Sequence, residues 1–238
     1  MRSLCDRVSG GAGVIALIGL LVGGPVIAEP QTDAVGRISY GTTDPAPGTA
    51  ICSGVLVAPD LVLTAAHCVG ADPSQIRFAA GLSEGQARAW AQGSAVLSLP
   101  LNPRQRASTD AIAALAYDLA VVRLATPLTD VMPLSLTSFD PTAEMLLQGY
   151  RRDRPDRVHL DASCLGTEII EGVLALSCPV VSGLSGAPLL IRMEHSPEWR
   201  VVAVVVAQAR GDGVPRSFAA VPGPDLLARL AEATAGHY

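Results

Sequence analysis

The chain has 238 residues, of which 49% are hydrophobic and 16% charged, with a formal net charge of −5. All 17 basic residues are arginine, set against 22 acidic residues, so the electrostatic footprint of a nucleic-acid-binding protein is missing. No internal repeat or long linker divides the sequence, which argues against an appended binding module.

The first element is Arg2 and Arg7 followed by an uncharged stretch, Val8 to Ala28, whose most apolar part is Val14 to Val26. It closes on Val26-Ile27-Ala28, small residues where a signal peptidase reads, so residues 1–28 are read as a cleaved secretory signal. An uncleaved anchor is the weaker reading, because the stretch is glycine-rich and broken by Pro25. No later run is long enough to cross a bilayer. Cleavage removes Cys5 and leaves Cys52, Cys68, Cys164 and Cys178, an even number that suits an oxidising compartment. Losing Arg2, Arg7 and Asp6 makes the mature chain one unit more negative.

Short runs rich in Val, Leu and Ile then recur between Gly, Pro, Asp and Ser clusters. Ile51 to Val57, Leu61 to Ala65, Leu119 to Leu124, Leu174 to Leu176, Ala187 to Ile191 and Val201 to Ala207 are predicted strands, with Pro59-Asp60 as a hairpin turn. This spacing points to an all-β barrel or sandwich. Ser108 to Ala116 is ambiguous between helix and loop, and the proline-rich segment Thr126 to Asp140 reads as the crossover between two halves. One helix is predicted at the C-terminus. Pro224 suits a first helical position, Asp225 suits the positive end of the dipole, Leu226, Leu227, Leu230 and Ala233 form an apolar face, and Gly236 can end it.

Three segments carry chemistry. His67 ends the run Leu63-Thr64-Ala65-Ala66-His67-Cys68, where a Cys52–Cys68 disulfide would pin the turn that holds the imidazole. Asp118 precedes the apolar run Leu119-Ala120-Val121-Val122; a carboxylate at the lip of a buried strand needs a partner, and an imidazole N–H is a natural one. Ser185 sits in Gly183-Leu184-Ser185-Gly186, a turn that can aim the N–H groups of Gly183 and Ser185 at one point, as an oxyanion hole requires. A serine hydroxyl becomes a useful nucleophile when an imidazole takes its proton and a buried carboxylate fixes the imidazole tautomer. Taken singly, each segment also has an ordinary structural reading. The α/β-hydrolase elbow is a poor fit, since Ala187 stands where it wants glycine and its usual order is serine, acid, histidine.

Together, in the order His, Asp, Ser, these segments resemble the trypsin-like (chymotrypsin-fold) serine proteases, in particular bacterial secreted ones. The likeness runs from about Val35 to about Ala233 and is most specific at Cys52-Ser53-Gly54-Val55-Leu56 and Thr64-Ala65-Ala66-His67-Cys68. It implies an all-β fold of two six-stranded antiparallel β-barrels with a C-terminal helix, the barrels falling at residues 29–130 and 131–238. It implies His67 as general base and then acid, Asp118 as its orienting carboxylate and Ser185 as nucleophile. It also implies a second disulfide between Cys164 and Cys178. By the same pattern the base of the substrate pocket falls near Pro179 and its wall near Ala207, Gln208 and Ala209.

The chain departs from that pattern in places. The Ile-Val-Gly-Gly start freed by zymogen cleavage is absent, its nearest stretch being Val35-Gly36-Arg37-Ile38. The aspartate that would pair with the new amine is Leu184, and the serine often found beside the buried carboxylate is Ala207. Signal cleavage is therefore the only obligatory processing expected. No acidic residue stands where a trypsin-like pocket needs one for Lys or Arg. A small or apolar pocket is expected, with recognition of an acidic side chain through Arg210 as the sharper alternative. Arg151, Arg152, Arg154 and Arg157, interleaved with Asp153 and Asp156, read as a solvated loop. His159, His195 and His237 lack metal-ligand spacing, and no metal or cofactor is expected. The overall expectation is a monomeric, secreted or periplasmic serine endopeptidase acting on proteins or peptides. A protease-fold binding protein and an esterase are the alternatives.

Overall fold

The structure, a computed structural model, describes residues 32–41, 49–97, 111–192, 196–211 and 214–235. The signal segment, Cys5, His195, Gly236 and His237 lie outside these residues.

The first six strands are β1 (Val35–Tyr40), β2 (Cys52–Ala58), β3 (Leu61–Ala65), β4 (Ile76–Ala80), β5 (Ala89–Val96) and β6 (Leu119–Leu124). They close into a barrel in the order β1-β2-β3-β6-β5-β4. The apolar runs explain the pairing: β3 is buried at every position and β2 at all but one, so both need cover on two sides. Pro59-Asp60 makes the tight connection that sets Val55 opposite Leu63. The ambiguous segment before β6 forms one helical turn, Ala111–Ala114, running into a 3-10 turn, Leu115–Tyr117.

The change of sheet falls between β6 and the next strand. The second half holds β7 (Glu144–Arg151), β8 (Arg154–Asp161), β9 (Gly166–Ile170), β10 (Val173–Leu176), β11 (Pro188–Arg192), β12 (Trp199–Gly211) and β13 (Val214–Ala220). These seven strands form one antiparallel sheet in the order β8-β7-β11-β12-β13-β10-β9. This corrects the expected count of six, and β8 and β9 do not pair with each other among the described residues. The physical reason lies in β8, the arginine-rich segment expected as a solvated loop. It pairs with β7, while its other edge meets a turn of the first barrel through the Ser83–Arg157 bridge and the Gly85 N–H to the Asp156 carbonyl.

The halves share an apolar interface. Leu146, Tyr150, Leu190, Val201 and Val204 of the second half belong to the same buried cluster as the first barrel's Val55, Leu63 and Val121. A separate cluster, including Leu147, Leu174, Leu184 and Leu189, fills the second half. The Cys164–Cys178 disulfide joins the β8–β9 connection to the segment after β10, as the resemblance implied.

The predicted C-terminal helix spans Pro224–Ala235 and returns to the first barrel, with Leu226 and Leu230 buried in the cluster that the halves share. Arg123 on β6 fixes this docking: one guanidinium nitrogen lies 2.7 Å from the Asp60 carboxylate and the other donates to the Ala233 carbonyl at 3.1 Å. Arg123→Ala would remove the ion pair from Asp60, which is only 10% exposed, and the bond to the Ala233 carbonyl. We expect a loss of about 1–3 kcal/mol and a lower Tm in thermal unfolding, with secondary structure retained.

Candidate active site

His67 and Asp118 are brought together by strand register. β3 and β6 run antiparallel with Ala65 opposite Leu119, so the residues just beyond one strand end meet those just before the other. The 3-10 turn Ala66–Cys68 is then tied to Asp118 three times. The Ala66 N–H donates to the Asp118 carbonyl at 3.0 Å, the His67 N–H to one carboxylate oxygen at 2.9 Å, and His67 Nδ1 lies 2.6 Å from the other. A carboxylate can only accept there, so Nδ1 carries the proton and Nε2 of the neutral ring is left as the basic nitrogen. The Cys52–Cys68 disulfide anchors the turn to β2, as the sequence suggested, and the Tyr40 hydroxyl donates to the Cys68 carbonyl.

The hydrogen bond to Asp118 pushes the His67 imidazole above its usual range; partial burial opposes this, and the carboxylate charge adds to it. The ring is therefore protonated at low pH and becomes a base only as the pH rises through that elevated value. In an NMR titration His67 is expected to titrate above the ordinary histidine range, and Asp118→Asn should bring it down, because the carboxylate charge is lost and any hydrogen bond that remains is to a neutral amide.

Ser185 lies in the turn between β10 and β11, and this turn is clamped at each successive carbonyl. The Ser182 carbonyl accepts from the Arg152 N–H at 2.8 Å, Gly183 from Ser53 Oγ at 2.9 Å, Leu184 from the Ala187 N–H at 2.9 Å, and Ser185 from the Ser53 N–H at 2.7 Å. The N–H groups of Leu184, Gly186 and Ala187 are spent on Val181, Val205 and Leu184. Those of Gly183 and Ser185 have no acceptor among the described residues. A trans peptide points its N–H opposite to its C=O, so clamping the Ser182 and Leu184 carbonyls fixes the direction of these two donors. Glycine is required at both ends of the turn. Gly183 has φ +99°, and a Cβ there would come within 2.6 Å of the Arg152 nitrogen and the Tyr150 oxygen. Gly186 has φ +81°, and a Cβ there would lie 2.0 Å from the Ser53 carbonyl.

His67, Gly183 and Ser185 line one cavity of about 500 Å³ with Tyr40, Ile51, Cys52, Arg152 and Ser182. Ala207 and Gln208 do not line it; they sit on β12 opposite Phe218 and Ser217, with Ala209 opposite Arg216. Pro179 is followed by buried Val180, whose N–H donates to Ser217 Oγ at 2.9 Å. The structure thus gathers His67, Asp118, Gly183 and Ser185 in one place. Sequence reasoning missed Ser53, Tyr150 and Arg152 as members of the site. The only cluster of ligand-type side chains among the described residues is Cys52, His67 and Cys68. Both of its sulfurs are in the disulfide, and neutral His67 is turned to Asp118, so it does not suit a metal.

A barrel carrying a paired histidine and aspartate, packed on a second sheet that presents a serine between glycines, is the architecture of the chymotrypsin-fold serine proteases. The chain belongs to the trypsin family: that family's sequence profile matches residues 21–163, which include His67 and Asp118 and end before Ser185. Three solved structures are similar in fold. A Glu endopeptidase in complex with MPD is 18% identical, with a TM-score of 0.63 over 86% of this chain and 91% of that one. The protease Anisep from Arthrobacter nicotinovorans is 18% identical, with a TM-score of 0.58 over 84% and 95%. An inactivated protease paralogue of the scabies mite is 14% identical, with a TM-score of 0.64 over 87% and 95%. A search of curated proteins by sequence finds no match.

Proposed function

We propose that the protein is a secreted serine endopeptidase in which Ser185 is the nucleophile, His67 the general base and then acid, and Asp118 the group that orients His67. Gly183 and Ser185 supply the oxyanion hole through their N–H groups. The observation that carries this reading is the 2.6 Å contact of His67 Nδ1 with Asp118 beside a cavity that His67 shares with Ser185. In the forward step His67 Nε2 takes the proton of Ser185 Oγ as that oxygen attacks the scissile carbonyl. The proton then passes to the leaving amine, and a water repeats the sequence to release the acyl group. The imidazolium formed in between is stabilised by Asp118.

The site splits between the halves in a way that suits this chemistry. Base and acid come from the first barrel, while nucleophile and oxyanion donors come from the second sheet. A peptide lying in the cavity would contact both. Secretion is supported by the two disulfides and by the signal-like residues 1–28 of the sequence. Substrate side chains would be read by the Pro179 region and by Ala207, Gln208 and Ala209. Because no carboxylate is placed there in the sequence, a small or apolar side chain is the preferred substrate at that pocket.

A fluorophosphonate probe tests the reading directly. One label per molecule at Ser185, absent from Ser185→Ala and strongly reduced in His67→Ala, is the expected result. An unlabelled wild type would instead mark a protease-fold binding protein. For the labelled enzyme, kcat/KM should rise with pH through the elevated His67 value, since the protonated ring cannot accept from Ser185.

Activation without a freed N-terminal amine follows from Leu184. It is fully buried in the apolar cluster of the second half, and its hydrogen bonds to Val181 and Ala187 already shape the turn. Acetylating the amine of the processed protein should leave kcat/KM unchanged in a peptide-hydrolysis assay, and a large loss would point to amine insertion after all.

A further inference from the structure

We propose that Ser53, on the first barrel, is a positioning residue for the chemistry at Ser185: its hydroxyl holds the Gly183–Leu184 peptide, the link between the two peptides that carry the Gly183 and Ser185 N–H groups, and so keeps these groups aimed at one point. This rests on the peptidase reading above and extends it to a residue of the opposite half.

Ser53 is fully buried on β2. Its hydroxyl accepts the Tyr150 N–H at 2.8 Å and donates to the Gly183 carbonyl at 2.9 Å. Its own N–H donates to the Ser185 carbonyl at 2.7 Å, and its carbonyl accepts the Thr64 hydroxyl at 2.7 Å. One residue thus grips the turn on both sides of Leu184 and is itself gripped by β3 and β7.

Of the clamps on the carbonyls of residues 182–185, three use main-chain donors that substitution leaves in place. The fourth, on Gly183, is the Ser53 side chain. It acts where the turn is weakest, because a glycine at φ +99° has no Cβ to restrict rotation of its peptides. Without the hydroxyl, the Gly183 carbonyl and the Tyr150 N–H are both left unpaired in a dry interior, which favours rotation of Gly183 toward other partners. Rotation of this central Gly183–Leu184 peptide turns the flanking Ser182–Gly183 and Leu184–Ser185 peptides relative to each other, so the N–H groups of Gly183 and Ser185 no longer converge. Leu184 offers no charge to hold the turn in another way, so the barrel-to-turn hydrogen bond substitutes for an ionic anchor.

The test compares wild type, Ser53→Ala and Ser53→Thr in the processed full-length protein. Rates are taken per folded molecule, and affinity is measured for a peptide aldehyde, whose adduct presents a tetrahedral oxyanion. Ser53→Ala is expected to lower kcat roughly tenfold to a hundredfold, leave KM within about twofold and weaken the aldehyde by the same factor as kcat. Ser53→Thr, which keeps the hydroxyl, should restore both. A folded Ser53→Ala enzyme with kcat and aldehyde affinity within about threefold of wild type overturns the inference, as does a loss confined to KM. Should the alanine variant not fold, Ser53→Gly takes its place under the same criteria. An active wild type with an unaffected hydroxyl-free variant overturns this inference alone. A wild type that neither cleaves nor labels overturns the peptidase reading and this inference together.

Discussion

The arrangement of the site depends on the hydrogen-bonded seam between β2 and the Ser185 turn. A turn that keeps two N–H groups unpaired is unfavourable by itself, since buried donors ordinarily find acceptors. Here it is held by occupying the carbonyl of each residue from Ser182 to Ser185, two of them through Ser53. The close approach needs Gly186, where a side chain would collide with the β2 backbone, and Gly149, where a Cβ would lie 2.6 Å from that of Ala187. The turn is thus held from both halves, by main-chain bonds within the second and by Ser53 from the first.

The remaining geometry follows from which half carries which group. His67 and Asp118 are fixed to each other within one barrel by register, three hydrogen bonds and a neighbouring disulfide. Ser185 is fixed relative to them only through the interface. Tyr150 is a principal strut of that interface: its N–H reaches Ser53 Oγ and its hydroxyl reaches the Leu82 carbonyl at 3.0 Å. Burial pushes the phenol well above the usual tyrosine range, so it stays a neutral donor across the working pH. Arg37 adds a bond from β1 to the Pro155 carbonyl at 3.0 Å. Placement of the third side chain is thus a matter of packing between halves, not of local sequence.

Much of this was legible in the sequence where side-chain chemistry or an apolar run marked it. His67, Asp118 and Ser185 stood out by residue type and context, and the predicted strands at Leu61 to Ala65 and Leu119 to Leu124 coincide with β3 and β6. Strands with mixed polarity escaped notice. β8 mixes charged and apolar residues and has no fully buried position, and β1 hides a buried arginine and serine in Arg37 and Ser39. Ser53 was visible only as part of a family-like stretch. Its partner, the Gly183 carbonyl, lies 130 residues away and belongs to the main chain, so no residue type in the sequence announces it. The pocket wall at Ala207, Gln208 and Ala209 was inferred from resemblance alone, since no side-chain chemistry in that stretch marks it.

The docking of the Pro224–Ala235 helix has an implication for the order of assembly. Leu226 and Leu230 are buried in the apolar cluster to which the first barrel contributes, and Arg123 of that barrel grips the helix at Ala233. The earlier half of the polypeptide therefore stays incompletely sheltered until this late segment has emerged and folded back. During synthesis the barrel made first thus precedes the segment that completes its cover.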